Sequence, residues 1–162
     1  MKPLIPGMLI VLGLAVVTAT LVFAGEEKVP IDKLPKPVVT AVKKKFPKAE
    51  MASAVKSTTD GKATYEVTLK AGGGLGIDVT INADGKISQI ERELAAKDLP
   101  KAVADAFGAK YPKVTVKRIE ELTKEDKIVS YEMLIETTAK KTLEVYFDPN
   151  GKFIQEKDVT PK

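Results

Sequence analysis

The chain has 162 residues, with 26 basic against 22 acidic side chains for a formal net charge of +4, and it contains no cysteine, no histidine and no tryptophan. Without histidine there is no imidazole ligand for a metal and no imidazole-based triad; without cysteine there is no thiol chemistry, no thiolate metal site and no disulfide. The lysines are interspersed with acids, so the modest positive charge does not read as a nucleic-acid surface.

Taken in chain order, the first element is an export signal. Lys2 precedes an apolar run from Leu4 to Val22, and Val22-Phe23-Ala24 offers small residues ahead of Gly25-Glu26-Glu27. The run is almost long enough to span a bilayer, so residues 1–24 are expected either to be cleaved or to stay as an anchor. No cysteine follows, which excludes a lipoprotein anchor. Residues 25–32 read as a short linker.

A helix is expected from about Leu34 to Phe46, with Leu34, Val38, Val42 and Phe46 on one face, Pro35 in the first turn and Pro47 as its stop. Lys43-Lys44-Lys45 falls near its C-terminus, where cations suit the helix dipole. Period-two alternation follows in Thr64–Leu69 and Ile77–Asn82, flanked by less regular strands at about 50–57 and 86–92. Asp60-Gly61 and Asp84-Gly85 are hairpin signals. Ala71-Gly72-Gly73-Gly74-Leu75-Gly76 lies between two strands, so it reads as a flexible hairpin and not as a phosphate loop, which joins a strand to a helix.

The same order then repeats. Leu34-Pro35 recurs as Leu99-Pro100 and Phe46-Pro47 as Tyr111-Pro112, both 65 positions on. Tyr65-Glu66 recurs as Tyr131-Glu132 and Asp84-Gly85-Lys86 as Asn150-Gly151-Lys152, both 66 positions on. One residue has therefore been inserted ahead of Tyr131, and the expected place is the turn at Glu125-Asp126, read as a longer loop. The second helix runs from about Leu99 to Tyr111, and the second set of strands covers about 114–122, 131–136, 143–148 and 152–156. The fold class expected is α+β, with two tandem units of one helix and a four-stranded antiparallel sheet, the two sheets joined or side by side and the helices packed on one sheet face. The units are residues 25–93 and 94–162.

A helix opening on Leu-Pro and closing on Phe-Pro or Tyr-Pro, then Tyr-Glu, then Asp-Gly-Lys, resembles the PepSY-like family, which is related to the β-lactamase inhibitor protein fold. The resemblance covers nearly all of residues 29–158, once per repeat. It implies an exported, non-catalytic bacterial module, with relatives whose suggested roles include binding or restraining hydrolases. The chain departs from the β-lactamase inhibitor itself, which looks like a disulfide-stabilised protein with an aromatic-rich concave sheet. Here there is neither cysteine nor tryptophan, no inhibitory residue maps across, and β-lactamase inhibition is not carried over.

No catalytic set is visible. Ser53, Ser57, Ser88 and Ser130 lie outside any nucleophile-elbow context, and no calcium-loop spacing occurs. The candidate partner-binding surface is the sheet face away from the helices. Leu134, Tyr146, Ile154 and, from the first repeat, Ile90 are expected to point there as an apolar patch, ringed by Glu132, Glu136 and Glu144, with Glu156 also on that face. The functional expectation is an exported protein-binding module acting on another exported protein, in the periplasm or secreted, as a regulator or inhibitor of a hydrolase. The alternative is a structural, small-ligand or cation-sensing envelope domain. No cofactor, no metal set, no nucleic acid, and no membrane contact beyond the N-terminal segment are expected.

Overall fold

A computed structural model of the chain describes residues 26–70 and 74–161. The N-terminal run expected to be an export signal and residues 71–73 of the glycine-rich stretch lie outside the described residues; among those described, no helix is long and apolar enough to cross a membrane. Among the described residues, nine strands form one antiparallel sheet in simple chain order: β1 (Glu26–Lys28), β2 (Glu50–Thr59), β3 (Lys62–Lys70), β4 (Gly76–Asn82), β5 (Ile87–Glu93), β6 (Val114–Lys124), β7 (Lys127–Thr137), β8 (Thr142–Phe147) and β9 (Phe153–Asp158). Two helices, α1 (Lys36–Lys45) and α2 (Lys101–Lys110), interrupt the series. The α+β class is as expected. Of the two arrangements expected for the sheets, joined or side by side, the joined one is found, because β5 and β6 pair and make the sheet continuous; the strand count of two units of four is not met, since β1 adds a ninth strand.

The extra strand, β1, falls in the stretch read as a linker. Glu26, Glu27 and Lys28 pair with Ser57, Lys56 and Val55. Sixty-five positions on, Glu91, Arg92 and Glu93 pair with Leu122, Glu121 and Glu120. The end of β5 thus completes the first repeat and also takes the place of β1 for the second.

Each helix starts two residues later than its Leu-Pro signal, because a short 3-10 turn ends at the leucine and the proline caps the helix. Val38 and Val42 of α1 are fully buried against Tyr65, Val67, Leu69, Ile77, Val79 and Ile81. Val103 of α2 is buried against Tyr131, Met133, Ile135, Leu143, Val145 and Phe147. These are two separate apolar clusters, one under each helix. Phe107 meets Phe147 edge-on at 6.2 Å, and Lys110 lies 4.2 Å above the Phe153 ring.

The Asp-Gly-Lys and Asn-Gly-Lys turns have a tertiary reason as well as a local one. Gly85 and Gly151 both have positive φ (91° and 85°). A Cβ on Gly85 would come within 2.8 Å of the Pro37 carbonyl oxygen, and one on Gly151 would collide with that of Ala102. Each β4–β5 or β8–β9 turn therefore runs directly beneath the first turn of its helix, an approach only glycine permits.

The inserted residue is not where the sequence reading put it. Glu125-Asp126 is a tight two-residue turn, both residues at positive φ (50° and 59°), equivalent to Asp60-Gly61 (51° and 73°). Lys124 pairs with Lys127 just as Thr59 pairs with Lys62. The surplus appears instead within β7, where Leu122 pairs with Ser130 but Thr123 pairs with Ile128, so Val129 forms a β-bulge. The bulge at Ala52 in β2, by contrast, has its counterpart 65 positions on at Lys117 in β6 and belongs to the repeated unit.

Candidate functional site

Strand alternation carries the acids of both repeats to the sheet face away from the helices. On β3 and β4 this face holds Glu66, Thr68, Asp78 and Thr80; 66 positions on, β7 and β8 present Glu132, Leu134, Glu144 and Tyr146. The four acids thus fall in two repeat-equivalent pairs, Glu66 with Glu132 and Asp78 with Glu144.

The arrangement is unusually dense in like charge. Asp78 on β4 stands directly opposite Glu91 on β5. Glu93 on β5 stands opposite Glu120 on β6, which in turn stands opposite Glu132 on β7. Asp78, Glu91 and Glu120 each bring a carboxylate oxygen within 4.8 Å of the others. Although the helices lie on the other face, Glu91, Glu120, Glu132 and Glu144 are only 4–6% exposed. Side chains on neighbouring strands therefore shield one another.

Compensation is uneven between the repeats. In the second, Glu144 stands opposite Lys157 of β9, whose Nζ lies 3.4 Å from Glu144 Oε2. The equivalent of Lys157 in the first repeat is Glu91, so an acid occupies the place of the counter-charge. Arg118 supplies one cation, with Nη2 3.1 Å from Glu120 Oε2. Gln89 Nε2 donates to Glu91, and the Gly76 N–H donates to Glu93 Oε2 at 3.1 Å. Among the described residues, Asp78 Oδ1 and Arg118 Nε are buried without a hydrogen-bond partner.

These surroundings favour protonated acids. Burial, and then the carboxylates of Glu120, Glu132 and Glu66, push Glu91 up to about 8. Burial pushes Glu120 up to about 7, with Arg118 opposing and Glu132 reinforcing. Burial and Glu144 push Glu132 up to about 7. Asp78 is raised chiefly by burial, against a hydrogen bond from Thr68. Burial, then Glu132 and Glu144, hold the Tyr146 phenol well above its ordinary value, so it stays a donor; its hydroxyl lies 3.2 Å from Glu144 Oε2. At neutral pH the face can hold protons or accept a cationic group. Asp78, Glu91 and Glu120 form a group of carboxylates close enough to share a cation, which composition alone did not suggest.

Of the residues expected to form the surface, Glu132, Leu134, Glu144 and Tyr146 do share this face. Leu134 and Tyr146 are buried, however, at 6% and 7% exposure, so they brace the acids and do not form an open apolar patch. Glu136 sits at the end of β7, ion-paired with Lys140 at 2.9 Å and Lys117 at 3.4 Å. Ile90 must be corrected: it pairs with Val79 and belongs to the core beneath α1. A bulge at Ser88, between the Thr80–Gln89 and Ile81–Ile87 pairs, shifts the alternation by one so that both Ile87 and Ile90 point inward. Ile154 occupies the equivalent bulge of β9, half-exposed at the sheet edge and apart from the cluster. Glu156 also lies on the helix side, where its Oε2 accepts a 2.5 Å hydrogen bond from Tyr111 at the end of α2. Glu91, Glu120 and Arg118 were missed because β5 and β6 are irregular strands. The repeat offset, which aligns Asp78 with Glu144 and Glu91 with Lys157, could have pointed to Glu91; Glu120 and Arg118 align with Val55 and Ser53, and no such signal marks them.

Solved structures share this architecture. The chain superposes on a BLIP-like protein from Bacteroides fragilis with a TM-score of 0.63 at 25% identity, covering 79% of this chain and 89% of that one. A DUF2874 family protein from Bacteroides uniformis gives 0.66 at 20% identity, over 78% and 90% of the two chains. A putative periplasmic protein from Bacteroides eggerthii gives 0.67 at 18% identity, over 78% and 89%. Among curated proteins none matches. The family model described as "Putative beta-lactamase-inhibitor-like, PepSY-like" matches residues 22–89 and again residues 64–155. Repeated helix, repeated turn glycines and continuous antiparallel sheet agree with that match, and the chain belongs to the PepSY-like, β-lactamase-inhibitor-like family.

Proposed function

We propose that this chain is a non-catalytic periplasmic binding module that engages a basic side chain of another exported protein through the acidic sheet face. The observation that carries this reading is the Asp78–Glu91 pair, which lacks the lysine that Lys157 supplies to Glu144 at the equivalent place. An arginine or lysine from a partner would occupy that place and form charge-assisted hydrogen bonds with Asp78, Glu91 and Glu120. The periplasmic location is supported by the likeness to a periplasmic protein and by the apolar N-terminal run. Restraint of a hydrolase is the form of binding that the family description favours. The absence of histidine and cysteine favours binding over catalysis.

The test is capture from envelope extract of the source organism on immobilised protein (residues 25–162), comparing the native chain with an Asp78→Asn/Glu91→Gln variant. Stoichiometric capture of one protein by the native chain, lost in the variant, is the expected result. Equal capture by both, or none by the native chain, rejects this reading.

A second reading, uptake of a divalent cation, is favoured by the convergence of three carboxylate oxygens within 4.8 Å. Calorimetric titration with calcium above pH 8 would give saturable heat at one ion per chain, abolished by Glu91→Gln; no heat rejects it.

A further inference from the structure

The β5–β6 ladder is the chain's own junction between one repeat and the next. Ile90, Glu91, Arg92 and Glu93 stand opposite Thr123, Leu122, Glu121 and Glu120, and the Leu94 N–H then donates to the Ile119 carbonyl at 2.8 Å. β1 rebuilds the same junction ahead of the first repeat. Glu26, Glu27 and Lys28 stand opposite Ser57, Lys56 and Val55, and the Val29 N–H donates to the Ala54 carbonyl at 2.9 Å. Each of these residues lies 65 positions before its counterpart in the β5–β6 ladder. β1 is thus a substitute for the last strand of a preceding unit. At the other end β9 closes the strand order, and among the described residues no strand pairs with its outer edge.

We propose that this junction also forms between copies of the chain: the outer edge of β9 takes β2 of a second copy in the register of β5–β6, once β1 of that copy has left. The internal register, moved 66 positions on for β5 and 65 back for β6, sets Glu156, Lys157, Asp158 and Val159 opposite Thr58, Ser57, Lys56 and Val55. No like charges meet. Arg92 opposite Glu121 becomes Asp158 opposite Lys56, a complementary pair with its signs exchanged. A second contact transfers as well. Lys45 at the end of α1 reaches Asp126 of the β6–β7 turn at 2.6 Å. Their counterparts are Lys110 at the end of α2 and the Asp60-Gly61 turn, which again carries an acid. Pairing edge to edge extends the sheet and covers neither face, so this contact is independent of the acidic face and of the reading given for it.

Two small closures keep these edges apart in the free chain. β1 pairs at only three positions, with side chains half-buried or exposed, and Glu27 lies 4.0 Å from Lys56, in the place Asp158 would take. On β9, the Thr160 N–H is the counterpart of the Leu94 N–H that crosses the internal junction, but it donates to Asp158 Oδ1 at 3.1 Å. A short covering strand of this kind is one way sheet proteins limit edge pairing. Thr160 also lacks the apolar side chain that Leu94 packs on the second core, so the junction between copies is weaker than the one within the chain. It is best detected by trapping.

The chain has no cysteine, so single-cysteine variants report the register directly. Lys56→Cys and Asp158→Cys chains (residues 25–162) would be mixed in equal amounts in a glutathione redox buffer, and the disulfide dimers identified by mass. Residues directly opposite on antiparallel strands lie within reach of a disulfide. The mixed 56–158 dimer should exceed either like-with-like dimer by about fivefold or more, against about twofold for random collision between equally reactive thiols. Adding Glu27→Pro to the Lys56→Cys chain weakens β1 and should raise the mixed yield by about threefold or more. A mixed dimer no more abundant than chance, a predominant 158–158 dimer, or a yield unmoved by Glu27→Pro would each overturn the proposal. If a cysteine variant fails to fold, sedimentation of the Glu27→Pro chain decides. A mass that rises with concentration is expected, and a mass that stays that of the monomer rejects the junction.

Discussion

Asp78 faces Glu91 across β4 and β5 where its repeat-equivalent, Glu144, faces Lys157 across β8 and β9. The chain therefore contains its own comparison: the same acid at the same place in the same fold, neutralised in one copy and opposed by a second acid in the other. The difference of sign at one residue leaves the acid of the first copy facing another acid.

Substituting Glu91→Lys should copy the second repeat into the first. At pH 8 the variant is expected to be more stable than the native chain by about 1–2 kcal/mol, because a repulsive pair becomes an attractive one. At pH 5.5 the gain should shrink, since Glu91 of the native chain is then protonated and no longer repels Asp78. Thermal melts at both pH values check this. A loss at both would mean that the lysine stem does not fit among Gln89, Glu120 and Glu132.

Global stability should fall as pH rises from about 5 to 8. Glu91, Glu120 and Glu132 have folded-state values of about 8, 7 and 7, against 4.5 for the free side chain. Between these limits the folded chain binds more protons than the unfolded one, so unfolding releases protons and raising the pH favours it. The stabilisation is complete below about 4.5 and lost once pH passes about 8. Denaturant midpoints at intervals across this range should decline and then level; a midpoint that climbs over the same interval would refute the assignment.

Gly85→Ala and Gly151→Ala should each cost about 2–4 kcal/mol, because a methyl group meets the backbone of Pro37 or Ala102 and φ is positive as well. Gly61→Ala is the control. Its φ is +73° but nothing lies within 4 Å of the added carbon, so about 1 kcal/mol is expected. Chemical denaturation of the three variants separates strain from collision.

Leu134→Ala and Tyr146→Ala should behave as buried truncations, each lowering stability by about 2 kcal/mol or more. Ile154→Ala, at a half-exposed bulge, should change it by no more than about 0.5 kcal/mol. If Leu134→Ala were neutral for folding and weakened partner capture, the residue would be part of an open contact surface after all.

Much of the architecture was legible because it rests on short-range rules. The Leu-Pro and aromatic-Pro pairs bracket α1 and α2, and the apolar period of 65 to 66 residues announces the duplication. Alternation assigned the faces of β3, β4, β7 and β8 correctly, since those strands carry no interruption that changes phase at Tyr65–Leu69, Ile77–Ile81, Tyr131–Ile135 or Leu143–Phe147. Ile90 was misplaced for the converse reason. A single bulge at Ser88 inverts the face of every later residue in β5, and nothing local to Lys86–Arg92 signals it.

The sequence by itself determined two helices, antiparallel strands, the turn glycines and the absence of thiol or imidazole chemistry, all of which depend on residue type and nearest-neighbour spacing. Only the tertiary structure decided that one sheet runs through both repeats, that Val129 and not the Glu125-Asp126 turn absorbs the insertion, and that Asp78, Glu91, Glu120 and Glu132 meet in a dry cluster. Those acids come from four strands spread over 55 residues of chain. Their interaction arises from register between strands, and register is set by bulges and pairings that no single segment contains.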